Sequence, residues 1–184
     1  MVILNLTIMK NVFFILLFMI NSCSRTHDES NDDKLSFTKT AYSSNELKTD
    51  GYFYTTNNFD PNKPSNPTFF YGNGVILSFG CNYDNELTVC INEIVNKGWN
   101  FKTGWGLFKI NGNSLVYEMW QAKSFGSFYK VFTYECEIIN NETYIVKKRY
   151  RNVNGEQSEV SFPNLTYKFV EFANKPSSVN NFIP

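Results

Sequence analysis

Three short turns rich in glycine and asparagine constrain this chain most, because each lies between two segments in which aromatic and β-branched residues alternate. Gly72-Asn73-Gly74 separates Thr68 to Tyr71 from Val75 to Phe79. Asn111-Gly112-Asn113 separates Trp105 to Ile110 from Leu115 to Trp120. Asn140-Asn141-Glu142 separates Phe128 to Ile139 from Thr143 to Tyr150. Glycine and asparagine accept the positive φ of tight turns, and alternation puts Val75, Leu77 and Phe79 on one face, so each turn predicts an antiparallel hairpin. Gly51 to Tyr54 opens the series and Leu165 to Phe172 closes it. The period changes once: within Asp84 to Lys97, Leu87, Ile91, Ile94 and Val95 recur at helical spacing beside Cys90, which predicts one short amphipathic helix. Pairing between sequence neighbours describes an up-and-down meander, and closure removes exposed strand edges. The expected fold is therefore mainly β, a small antiparallel barrel with one short helix. The alternative is an open antiparallel sheet with the helix on one face, an α+β arrangement. Pro61, Pro64 and Pro67 predict an irregular loop from Asn57 to Pro67.

Ahead of this lies a different kind of segment. Met9-Lys10 precedes the apolar run Val12 to Ile20, then Asn21, Ser22 and Cys23, the parts of a secretory leader with its basic start, apolar centre and small residue before the cut. Nine apolar residues are too short to cross a hydrocarbon layer roughly 30 Å thick, so the run reads as part of a removable leader, with Met1 or Met9 as its start, rather than a spanning helix. Ile20-Asn21-Ser22-Cys23 resembles the lipobox of bacterial lipoproteins, in which the cysteine becomes the first mature residue and carries lipid. The resemblance implies cleavage before Cys23, lipidation of Cys23 and a membrane as partner. Ser24 after it implies sorting to the outer membrane, facing the periplasm or the cell surface. The acidic pairs Asp28-Glu29 and Asp32-Asp33 are loosely similar to the surface-export signal of Bacteroidetes lipoproteins, and equally suit a plain soluble linker. The expected organisation is a leader over 1–22, a lipidated cysteine and polar tether over 23–47, a β domain over 48–173 and a flexible tail over 174–184.

Composition bears on function mainly by exclusion. With 18 Phe, 11 Tyr and 3 Trp the chain favours pleated, half-buried surfaces. Seventeen basic and 17 acidic residues cancel, and loss of the leader's Lys10 leaves 16 against 17, so nothing attracts nucleic acid. His27 is the only histidine and lies in the expected tether, which removes a Ser/His or Cys/His nucleophile pair from the domain. Glu118, Glu135, Glu137, Glu142, Glu156, Glu159 and Glu171 are available carboxylates, with Glu135 and Glu137 on one strand face as outward, solvated side chains. No catalytic motif, cofactor or metal site is expected, and the chain does not read as an enzyme. Lys147, Lys148, Arg149 and Arg151 form a short basic run, a solvated face that also suits anionic lipid or polysaccharide. With Cys23 assigned to lipid, three cysteines remain: Cys136 alternates with apolar neighbours as a small buried residue, and Cys81 and Cys90 are the candidate disulfide pair.

The segments Lys48 to Tyr54, Phe70 to Leu77 and Trp105 to Asn113 together resemble the small lipocalin-like lipoproteins of Bacteroidetes, over most of Lys48 to Phe172. The resemblance implies a calyx with room for a small apolar ligand. Tyr52, Tyr54, Phe70, Trp105, Tyr117, Trp120 and Tyr134 are the candidate lining, apolar walls bearing a few hydroxyls. Two functions follow: a ligand-binding lipoprotein, or a structural or interaction lipoprotein, such as an accessory subunit or inhibitor, whose aromatics simply fill the barrel. The loop Asn57 to Pro67 and the segment Asn96 to Thr103 are the expected mouth or contact elements.

Overall fold

The computed structural model of the protein describes residues 31–55, 65–81, 87–122 and 128–184; the leader, Cys23 and the first acidic pair lie outside them. Nine strands and one helix follow in chain order: β1 (Gly51–Thr55), β2 (Ser65–Phe70), β3 (Val75–Ser78), α1 (Leu87–Lys97), β4 (Trp105–Asn111), β5 (Ser114–Ala122), β6 (Tyr129–Asn140), β7 (Thr143–Val153), β8 (Glu156–Ser161) and β9 (Leu165–Glu171). All neighbours are antiparallel, and the ring β1-β2-β3-β4-β5-β6-β7-β9 closes when β9 returns to β1. The eight-stranded barrel is the small lipocalin-like barrel with one short helix that the hairpins predict. β8 stands outside the ring, because β7 pairs its first half with β9 and its second half with β8. Asn154 and Gly155, at φ 54° and 87°, make that additional turn.

Alternation along the strands builds two cores. Inward residues Phe53, Phe70, Ile76, Phe108, Leu115, Tyr117, Met119, Cys136, Tyr144 and Val146 fill the barrel. Their neighbours Tyr52, Phe69, Tyr71, Val75, Leu77, Trp105, Leu107 and Trp120 point outward into a second core, shared with Leu87 and Ile91 of α1, Leu35 and Phe37 of the N-terminal segment and Ile183 of the tail. A disulfide joins Cys81 to Cys90 and ties the start of α1 to the chain leaving β3, while Cys136 is a buried free thiol.

The described residues at both ends depart from the expected tether and tail. From residue 31 onward the supposed tether lies on the barrel: the buried Glu118 accepts bonds from Ser36 N (2.7 Å), Ser36 Oγ (2.6 Å) and Phe37 N (3.2 Å). Asp32 pairs with Lys102 (2.7 Å) and accepts from Tyr129 N, and Asp33 holds Arg151 and accepts from Val131 N. Leu47 sits in the barrel core. In the tail, Ile183 is buried and Tyr71 donates to the Pro176 carbonyl. Polar composition conceals this docking, since carboxylates that bond backbone N–H groups hold the segment beside the few apolar residues, Leu35, Phe37 and Leu47, that pack on the two cores. A smaller correction concerns Pro67, which lies inside β2. It follows Asn66 at φ 55°, where a shift in the β1–β2 register spares the missing donor.

Candidate functional site

The hairpin turns at Gly112 and Asn141 mark one end of the barrel, and Leu47 and Tyr42 close it, with Tyr42 packed edge-on against Phe108 at 5.5 Å. The opposite end is open. There a hollow of about 450 Å³ is lined by Tyr117, Met119 and Gln121 of β5, Tyr134 of β6, Val146 and Arg149 of β7, and Leu165 and Tyr167 of β9. Asn66, Ser78, Trp99, Thr103 and Pro163 form its rim. Both expected mouth elements therefore reach it through their described residues.

Arg149 belongs to this site because of a bulge. Tyr144 and Val146 point inward, and strict alternation would send Lys148 after them. The register slips instead, with Cys136 opposite Val146 and Glu135 opposite Lys148, so Arg149 falls opposite the inward Tyr134. The basic run is thereby divided. Lys147 turns out to Glu137 (3.1 Å), Lys148 to Gln157, and Arg151 to Asp33 and Glu159. Arg149 lays its guanidinium 3.6 Å from the Phe132 ring centre and donates to the Tyr134 hydroxyl (3.2 Å) and Gln121 Oε1 (2.8 Å). Gln121 Nε2 donates to that same hydroxyl, which closes a three-membered network.

Below it Tyr117 stacks on Tyr134 with centroids 4.6 Å apart, and Tyr144 on Tyr167 at 4.8 Å. Burial pushes the Tyr117, Tyr134 and Tyr167 hydroxyls above the usual tyrosine range, and Arg149 draws Tyr134 partly back. All three stay neutral near pH 7 and serve as hydrogen-bonding groups. Deeper, Phe53, Phe70, Phe108 and Tyr144 meet at 5.0 to 5.8 Å, mostly edge to face, and fill the interior.

The seven candidate residues divide between the two cores. Tyr117 and Tyr134 line the open mouth and Phe70 lies deep in the barrel, whereas Tyr52, Tyr54, Trp105 and Trp120 stand on the outer face. That set lacks Arg149, Gln121 and Tyr167: the bulge behind Arg149 leaves no mark in a polar–apolar pattern, Gln121 is polar and reads as outward, and the phase of Tyr167 on β9 is set only by its partner strands. A larger hollow of about 710 Å³ lies outside the barrel among Leu35, Phe37, Leu107, Trp120 and Phe182. Its wall is already satisfied at several points: Asp32 holds Lys102, and Trp120 Nε1 donates to the Asp33 carbonyl. The barrel mouth, with an arginine lacking a carboxylate partner among the described residues, is the stronger site. Among those residues no group of His, Cys, Asp or Glu is placed to hold a metal ion, and no helix is long and apolar enough to cross a membrane. Comparison with protein-family models, with curated proteins and with solved structures finds no match to this chain.

Proposed function

We propose that this chain is a lipoprotein of the cell envelope, anchored through lipid on Cys23, whose barrel takes a small apolar or amphipathic molecule into its open end. The hollow among Tyr117, Tyr134, Tyr167 and Met119 carries the binding reading: at about 450 Å³ it falls in the range of roughly 300 to 1,000 Å³ typical of small-molecule pockets. The Ile20 to Cys23 motif carries the anchoring reading, and Ser24 favours the outer membrane. Because Asp32 is already docked, at most residues 24–31 lie between the lipid and the folded domain, a reach of no more than about 29 Å. The domain then sits close to the bilayer from which an amphipathic ligand would come.

Native mass spectrometry of the full chain extracted from an envelope tests the binding. A reproducible added mass that vanishes on denaturation supports it, and a bare chain counts against it. Labelled palmitate tests the anchor: wild type should incorporate it and Cys23→Ala should not. One observation favours the second reading, an interaction lipoprotein without a ligand: the deeper half of the barrel is filled by Phe53, Phe70, Phe108 and Tyr144.

A further inference from the structure

We infer that the barrel mouth selects an amphiphile with an anionic head, a carboxylate or a phosphate monoester, gripped by Arg149 together with the Tyr134 hydroxyl. This rests on reading the mouth as a binding cavity and adds the chemical class of the ligand. The first ground is a count of donors. A guanidinium carries five N–H groups. Arg149 spends Nε on Tyr134 and one Nη2 hydrogen on Gln121, and the other three meet no acceptor among the described residues. The Tyr134 oxygen already accepts from Arg149 and Gln121, so its own O–H is left to donate, again with no acceptor among the described residues. The edge of the network is thus donors alone, which suits an anion with several lone pairs.

The second ground is charge. Lys147 and Arg151, on the same strand, are paired with carboxylates, yet none lies within ion-pair distance of Arg149 among the described residues. Its guanidinium is nonetheless held in place, by Phe132 against its face and by Gln121 and Tyr134 at its edge. A fixed planar fork binds carboxylate or phosphate with little loss of side-chain freedom. The third ground is what lies beneath. Met119, Val146, Leu165 and the Tyr117 and Tyr167 rings offer an alkyl chain a mostly apolar wall, so head and tail have separate seats.

Calorimetric titration of the purified full chain with decanoate, decyl phosphate, decanol and inorganic phosphate tests this. Decanoate and decyl phosphate should bind at least about tenfold more tightly than decanol, the margin expected of charge-assisted hydrogen bonds. Arg149→Gln should abolish the preference, bringing decanoate and decyl phosphate down to the affinity that the same variant shows for decanol, and a cooperative thermal melt near that of wild type reports that the variant is folded. In wild type, added salt should weaken decanoate and spare decanol. If decanol binds as tightly as decanoate, the anionic head is wrong while the cavity stands. Inorganic phosphate binding as tightly as decyl phosphate would make this an anion site without a tail. Failure of every probe to bind overturns both the head group and the cavity.

Discussion

At the scale of single residues, two buried polar groups make opposite predictions. Glu118 lies on the outer face of β5, 5% exposed, and three donors from Ser36 and Phe37 converge on it. Glu118→Ala strands those donors and should cost about 2–3 kcal/mol in urea unfolding. It should also open residues 34–47 to protease, and an unchanged cleavage pattern would show that the segment is held elsewhere. The Tyr144 hydroxyl is fully buried in the barrel beside Thr68 and Tyr117, but no partner meets it at good hydrogen-bond geometry. Tyr144→Phe removes a desolvated group with at most weak contacts to Thr68 and Tyr117, so stability should hold or rise by up to about 1 kcal/mol; a fall of that size would show that those two hydroxyls bond it fully. Burial also raises the Cys136 thiol well above its ordinary value of 9.0 and the Tyr117 and Tyr144 hydroxyls well above 10.0. A pKa raised by folding gives stability that is complete below the unfolded value and lost as pH climbs towards the folded one. Melting temperature should therefore fall from about pH 9 upward, with no such loss from these groups between about pH 7 and pH 9. A flat profile to about pH 11 would contradict the burial of these groups.

Among the elements, legibility in the sequence followed chemistry. Hairpins turning at Gly72-Asn73-Gly74 and Asn111-Gly112-Asn113 were readable because alternation and turn residues agree, and α1 because Leu87 and Ile91 share one buried stripe. The hairpin into β8 carries as strong a turn signal, Asn154-Gly155, but Glu156–Ser161 is nearly all polar and offers no apolar face to find. The bulge that turns Arg149 inward was invisible for another reason: only the partner strand reveals that a residue has been inserted. The docking of residues 31–47 is hard to read because Asp32, Asp33 and Ser36, which composition reads as solvent-facing, share the anchoring with a few scattered apolar residues, Leu35, Phe37, Tyr42 and Leu47. The Cys81–Cys90 bridge closes a short loop onto α1, and its loss should cost about 2–3 kcal/mol by loop entropy. Urea unfolding with and without reductant measures it, and no difference would mean that α1 is seated by Leu87 and Ile91 alone.

For the whole molecule, the sequence carried the order of the strands and hence the closed barrel, but not which aromatics face inward. A one-residue change of phase separates Phe70, in the barrel, from Phe69 and Tyr71, beneath α1 and the tail. The result is a barrel with one end stopped by Leu47, a middle packed with rings and an open end holding Arg149. On this account function resides in the open end, and blocking it tests the account most directly. Leu165 lines the hollow and is only partly buried, so Leu165→Trp should fill the space with little cost to the fold. Native mass spectra of wild type and Leu165→Trp, extracted side by side from the same envelope, should show an added mass on the first and none on the second, at equal or higher melting temperature. The same added mass on the blocked variant would place the ligand outside the barrel and contradict the account.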